Sequence, residues 1–246
     1  KAREGVEVRV LFDAVGVAPG RRFFMKPLVE AGGEVAPFLP VNLFERRLRI
    51  NFRNHRKIIV IDGEVGFTGG INIGQEYTEW LDMAFRFDGP VVLQLQEIFA
   101  DDWYYATDRV LDDPRYFEPG DEPSGAAADG ETYDANDVIA RVIASGPNRP
   151  ESVLRTTFFM AMTTARERIW ITTPYFVPDQ AVLTAIRTAA LRGVDVRILV
   201  PGISDVPVAQ AAGRSYFAEL LDAGAEIYEY EREVLHAKAL LFDRDW

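Results

Sequence analysis

The sequence predicts an α/β protein of two homologous lobes, each a mixed β-sheet flanked by helices. Three observations carry that expectation. Segments recur in the same order along the chain: Gly5-Val-Glu-Val-Arg-Val-Leu11 matches Gly193-Val-Asp-Val-Arg-Ile-Leu199, and Ala31-Gly-Gly-Glu-Val35 matches Ala223-Gly-Ala-Glu-Ile227. A frame His-x-Lys-x4-Asp then follows in both copies, as His55, Lys57, Asp62 and as His236, Lys238, Asp243. These are the only 2 histidines of the chain, and lysine is scarce too, occurring at Lys1, Lys26, Lys57 and Lys238. Finally, strand-like and helix-like stretches alternate, the pattern of a parallel or mixed sheet covered by helices.

The elements follow in order. In the first copy a β-branched strand, Val6–Phe12, comes after a glycine. A helix of about 21–31 then ends at glycine, a common helix C-terminal signal, and a second strand, Glu34–Leu39, leads to a motif strand over about 57–61. Asp62-Gly63 is a strong hairpin dipeptide, so the chain turns back there into Val65–Thr68. Pro90 fits the first turn of a helix running to about Ala106, where its missing amide proton is not needed.

The second copy shows more of the upstream pattern. Val153, Leu154, Phe158, Ala161, Met162 and Ala165 form a helical apolar face, Ile169–Thr173 reads as a strand, and Asp179 is placed to cap a helix running to Arg192. A strand over Val194–Val200, one helix over about 206–223, a strand over Glu226–Tyr230 and a motif strand over about 238–242 complete the copy. The first copy begins within the end of its own upstream helix, Lys1-Ala-Arg-Glu-Gly5, so its N-terminus is expected to be truncated. The expected division is a first lobe over 1–107, an acidic linker or loop over 108–137 rich in glycine, proline and alanine, and a second lobe over 138–246.

Bulk properties bound the function. At 246 residues and 48% apolar content the chain is long and apolar enough to bury a core. No apolar run approaches the roughly 18 residues that a membrane-spanning helix needs, and the N-terminus lacks the pattern of a signal peptide. Without cysteine there is no disulfide framework or thiolate metal site, and two distant histidines without companion ligands make zinc a poor expectation. The net charge of −11 argues against broad nucleic-acid binding, which requires basic stripes. One cationic stretch stands out, Arg46, Arg47, Arg49, Arg53, Arg56 and Lys57. It is either a solvated face or a means of drawing an anionic substrate toward His55.

The motif itself suggests chemistry. Residues i and i+2 of a strand face the same side, so each copy presents one imidazole beside one ammonium. If two lobes pack face to face, both pairs surround a single anion. That inventory suits cleavage of a phosphodiester: fixed cations stabilise charge building on the non-bridging oxygens, one neutral histidine attacks phosphorus, and the other protonates the departing alkoxide. Asp62 and Asp243 fall on the opposite side of a continuous strand from their histidines and read as supports more readily than as reacting groups. Behind the first motif, Gly69-Gly-Ile-Asn72-Ile-Gly74 lets backbone approach a ligand, and Asn72 is a candidate to bind phosphate.

These residues resemble the duplicated catalytic signature of the phospholipase D superfamily. The flanks Arg53-Asn-His-Arg-Lys, Trp80-Leu-Asp82, Asp102-Trp-Tyr104, Ile171-Thr-Thr-Pro-Tyr-Phe-Val-Pro-Asp179 and Leu235-His-Ala-Lys238 are similar to those of bacterial cardiolipin synthases. The resemblance implies two phospholipase D-like lobes with the active site between the lobes, a phosphohistidine intermediate and no metal or other cofactor. It also implies transfer of a phosphatidyl group between two phosphatidylglycerol molecules. His55 is then the nucleophile and His236 the acid/base, Lys57, Lys238 and Asn72 hold phosphate, and Asp82 is a candidate for orienting a histidine. The implied partners are anionic phospholipid and a membrane surface, with no nucleic acid, and the implied location of the full-length parent is the bacterial cell membrane. Oligomeric state has no signal in the sequence. The glycine/serine and asparagine segment expected behind the second motif, and its downstream carboxylate, do not follow Asp243, so this polypeptide is expected to be C-terminally truncated with impaired activity. The alternatives are a hydrolase of the same superfamily, acting on lipid or less readily on nucleic acid, and a catalytically incomplete module that binds anionic lipid.

Overall fold

Two compact units emerge from the chain, one formed by Lys1–Thr68 with Arg86–Ala144 and the other by Gly69–Phe85 with Ser145–Trp246. The computed structural model describes residues 1–14, 24–38, 54–118, 139–145 and 153–244. Arg46, Arg47, Arg49 and Arg53 of the cationic stretch, the start of the first expected helix and residues 119–137 of the acidic segment lie outside the described residues.

In the first unit, strand β1 (Arg9–Asp13) and strand β2 (Glu34–Phe38) pair in parallel, with the short helix α1 (Lys26–Glu30) between them in sequence. A second sheet has the order β3-β4-β5, formed by Ile58–Ile61, Val65–Gly69 and Ala84–Asp88. The β3–β4 hairpin turns through Asp62 and Gly63, with φ of 55° and 74°, and the Glu64 amide donates to the Ile61 carbonyl at 3.0 Å. Two successive positive φ values match the right-handed twist of paired strands, which is why Asp-Gly is favoured there. Helix α2 (Val91–Thr107) packs on β2 and β3 through a face that includes Val92, Leu95 and Trp103, all at most 1% exposed. Pro90 is its N-cap, and Asp108 closes it in the left-handed conformation.

The second unit is built on one mixed sheet in the order β8-β7-β6-β9. Its elements in sequence are α3 (Val153–Thr164), β6 (Arg168–Thr172), α4 (Gln180–Leu191), β7 (Asp195–Pro201), α5 (Pro207–Arg214), α6 (Phe217–Asp222), β8 (Glu226–Tyr230) and β9 (Ala239–Phe242). Strands β6, β7 and β8 run parallel, and β9 runs antiparallel to β6. Alternation buries Ile169 and Ile171 of β6 and Val196, Ile198 and Val200 of β7 under Leu183, Ile186 and Ala189, spaced by threes along α4. Each valine, leucine or isoleucine among them contributes about 1.5–3 kcal/mol on burial. Asp179 caps α4 by accepting from the amides of Ala181 and Val182 at 2.8 and 3.1 Å, which satisfies donors that a helix start otherwise leaves without partners.

The duplication is visible in the backbone. Gly5 and Gly193 (φ 92° and 86°) precede β1 and β7; Gly32 and Gly224 (93° and 97°) precede β2 and β8; Asp62 and Asp243 (55° and 51°) follow β3 and β9. The same pair of charges bridges the strands in both copies: Arg9 faces Glu34 with Nε 3.3 Å from the carboxylate, and Arg197 faces Glu226 at 3.4 Å.

Three expected details differ. The single helix over 206–223 is two, α5 and α6, because the Ser215 hydroxyl donates to the Ala212 carbonyl at 2.6 Å and the Tyr216 amide bonds Gly213 at 3.1 Å, closing a tight turn that ends the α-helical ladder. Among the described residues of the first unit the strands form two sheets rather than one. In the second unit β6 joins β7 to β9, and no described strand stands between β1 and β3 in that way. Residues 69–85, which connect β4 to β5, group with 145–246 rather than with the copy that precedes them in sequence. Among the described residues no helix is long and apolar enough to cross a membrane.

Candidate active site

Because β9 runs antiparallel to β6, with Thr172 opposite Ala239, the residues leading into β9 lie beside the C-terminal end of β6. Their amides do not pair with that strand. The His236 and Ala237 amides donate to the Leu81 carbonyl at 2.8 and 3.0 Å, and the Leu81 amide donates to the Val234 carbonyl at 2.9 Å, a short parallel bridge between Leu81 and Leu235. This stitch places Asp82 at His236. The Asp82 carboxylate lies 2.6 Å from His236 Nδ1, and the two side chains are only 8% and 11% exposed. A carboxylate accepts only, so Nδ1 carries the proton and Nε2 is left with its lone pair. The other Asp82 oxygen accepts from the Met83 amide at 2.8 Å, which fixes the carboxylate from its far side.

Around the imidazole stand Trp80, with ring centroids 5.2 Å apart, and Tyr175, at 6.3 Å in an edge-on arrangement. The Tyr175 hydroxyl donates to Asp205 at 2.8 Å. Burial first, then that carboxylate, push the phenol up from its ordinary value, so Tyr175 stays protonated. Lys238 Nζ lies 3.1 Å from His236 Nε2 and donates to the His236 carbonyl at 2.6 Å. A cavity of about 240 Å³ is lined by Asn72, Tyr77, Trp80 and Asp82 among others, all from the segment that carries Asp82. Gly70 packs directly on Asp82: a Cβ at position 70 would overlap the carboxylate, so a side chain there would displace Asp82 from the histidine.

The first motif is held differently. His55 is exposed, and the residues on either side of it reach one buried carboxylate, Asp102 of α2. Asn54 Nδ2 donates to Asp102 Oδ2 at 2.9 Å, and Arg56 Nη1 donates to Asp102 Oδ1 at 2.5 Å. Asn54 Oδ1 in turn accepts from the Arg56 amide at 2.9 Å, closing an Asx turn over His55. Lys57 Nζ donates to the His55 carbonyl at 3.1 Å, the counterpart of the bond Lys238 makes to His236.

Neither histidine therefore stands on a strand. Strand β3 begins at Ile58 and β9 at Ala239, because the preceding backbone is engaged by the Asx turn in one copy and by Leu81 in the other. The imidazole and ammonium of the second copy nonetheless meet. Arg56, whose stretch reads in the sequence either as a solvated face or as a means of drawing an anionic substrate, is engaged with Asp102.

Asp62 occupies the hairpin turn, and Asp243 accepts backbone amides from Arg166, Glu167 and Arg168 at 2.7–3.1 Å. Those amides, Glu167 first, hold the Asp243 carboxyl below its ordinary value. A depressed carboxyl stabilises the fold above its unfolded value of about 4 and loses that contribution as pH falls through the folded value. Asp243→Asn is accordingly expected to lower thermal stability at pH 7 and to converge on the parent chain as pH falls through the folded value. A stability gap of constant size across that range in calorimetry would contradict this.

The duplicated His-x-Lys frame, with one histidine buried against a carboxylate and the ammonium at its free nitrogen, also has a counterpart among known proteins. A family model described as "Cardiolipin synthase, PLD-like domain" matches residues 1–103 and 159–246. The chain belongs to the phospholipase D-like family. It is 42% identical over 256 residues to Cardiolipin synthase 1 of Bacillus anthracis, 44% over 253 residues to cardiolipin synthase of Geobacillus kaustophilus, and 43% over 252 residues to that of Halalkalibacterium halodurans. These alignments take in 99%, 99% and 100% of the chain and 48% of each relative, so it spans about half the length of the curated relatives it matches. The phospholipase D-like fold is also that of phosphatidylserine synthase from Haemophilus influenzae, with a TM-score of 0.57 at 16% identity over 96% of this chain and 63% of that one.

Asn54 and Tyr175 of this phospholipase D-like chain escaped sequence reasoning as site residues, as did the contacts that Arg56, Gly70 and Asp102 make. Their signal was present in the flanks. Asn-His-Arg is an Asx-turn sequence, and an aspartate on the apolar face of α2 needs a buried partner. No pattern within the sequence paired them.

Proposed function

We propose that this phospholipase D-like protein transfers a phosphatidyl group from one phosphatidylglycerol to the hydroxyl of another, as a cardiolipin synthase. The duplicated histidine–lysine frame carries the reading, standing in a chain that aligns almost end to end with proteins named cardiolipin synthase. His55 attacks phosphorus, forming a P–N bond as the P–O bond to glycerol breaks, and His236, entering this step with a second proton on Nε2, gives that proton to the departing glycerol oxygen. In the second half His236 takes the proton of an incoming phosphatidylglycerol hydroxyl, whose oxygen displaces His55 and restores both residues. Lys57, Lys238 and Asn72 hold the non-bridging oxygens, where fixed cations stabilise the charge that builds. Asp82 holds the His236 proton on Nδ1, which keeps Nε2 available to move protons. Asp62 and Asp243 support the turns behind each motif.

The substrate and its partner are anionic phospholipid at a membrane surface, and the bacterial cell membrane is the place of action. With the full-length parent and phosphatidylglycerol vesicles labelled in the head group, the expected products are cardiolipin and one glycerol for each turnover. Phosphatidic acid as the main product makes the protein a hydrolase instead, and binding without turnover makes it a lipid-binding module. Retained turnover in His55→Ala would remove the phosphohistidine step.

A further inference from the structure

Among the described residues two polar or charged residues are buried as whole residues, His236 at 8% exposure and Asp102 at 7%. The first belongs to the pair with Asp82. The second has no place in the chemistry above, yet a carboxylate in the packed face of a helix is costly unless its oxygens are bonded. Its two oxygens are taken by Asn54 and Arg56, the residues immediately before and after His55.

We propose that Asp102 is the positioning residue of His55, fixing the peptide on both sides of the imidazole to helix α2. The grip has two parts. Asp102 Oδ2 holds the Asn54 amide group, whose oxygen turns back to the Arg56 amide and sets the direction in which the chain leaves His55. Asp102 Oδ1 holds the Arg56 guanidinium, so both flanks are referenced to one rigid group. The helix supplies that rigidity: Trp103, adjacent to Asp102, and Leu95, two turns before it, are each 1% exposed. His236 is oriented by a carboxylate on its own ring, whereas His55 is exposed and is oriented through its neighbours. An in-line attack on phosphorus tolerates little misplacement, and an error of about 1 Å at such a group can cost a hundredfold in rate.

The proposal rests on the reading of His55 as the nucleophile for its kinetic consequence but not for its structural one, and the test separates them. Because the chain has 2 histidines, imidazole nitrogen–proton spectra of ¹⁵N-histidine protein give one resonance set for each, with His236 as an internal control. Asp102→Asn and Asn54→Ala in the full chain are expected to shift or broaden the His55 set and leave the His236 set in place. Asn54→Ala leaves the Arg56–Asp102 ion pair intact, so it decides the matter if Asp102→Asn does not fold. Turnover of phosphatidylglycerol by Asn54→Ala is expected to fall about ten- to a hundredfold in kcat with KM unchanged. His55 resonances unchanged in a folded variant, or His236 resonances moving as far as those of His55, would overturn the assignment. A shifted His55 set with undiminished turnover would preserve the positioning and overturn instead the role of His55 as nucleophile.

Discussion

His236→Asn is expected to lower phosphatidyl transfer by about a thousandfold, within the range that general acid–base groups contribute, while leaving the second unit folded. Asparagine is the informative replacement. Its side-chain amide can donate to Asp82 from near the position of Nδ1, so the buried carboxylate keeps a partner and avoids the penalty of an uncompensated charge. What it lacks is a nitrogen that gains and loses a proton at the position of Nε2, 3.1 Å from Lys238. A thousandfold loss corresponds to about 4 kcal/mol of transition-state stabilisation. Steady-state rates, with circular dichroism and thermal melts alongside, make the comparison, and a loss below about tenfold in a folded variant would exclude His236 from proton transfer.

Asp82→Asn carries the next largest expected effect, a drop in kcat of about a hundredfold or more, up to a thousandfold, with little change in KM. Asparagine keeps an oxygen for the Met83 amide, and its NH2 group then faces His236 Nδ1. Two donors cannot share that contact, so the imidazole moves its proton to Nε2 and loses the lone pair there. The geometry survives while the tautomer is wrong. A rise in KM at constant kcat would instead give Asp82 a role in binding alone. Since kcat and KM move differently under the two accounts, the measurement separates orientation from affinity.

The fold was readable in the sequence wherever local chemistry and burial agreed. Alternating Ile169 and Ile171, the β7 run from Val194 to Val200 and the Asp179 cap each satisfy one local rule and one core, so strand and helix types follow. The break between α5 and α6 was less visible, because a serine hydroxyl competing for one carbonyl leaves no mark on apolar periodicity. The same contrast holds at the site. Duplication exposed His55, Lys57, His236 and Lys238 as a set, and resemblance to a family marked Asp82. The grip of Asp102 on Asn54 and Arg56 joins residues 46 to 48 positions apart, a separation across which one sequence has no periodicity to read.

The bridge between Leu81 and Leu235 has a consequence for modularity. Asp82 belongs by sequence to the first repeat, but it serves the histidine of the second. A gene dissected at the repeat junction, for example to express residues 138–246 alone, would yield a histidine deprived of its carboxylate. A change in the first half of the gene at this segment is thus tested by the chemistry of the histidine in the second half. Permutation or domain-swap engineering should therefore cut outside 69–85 and keep that segment linked to the strand that carries His236.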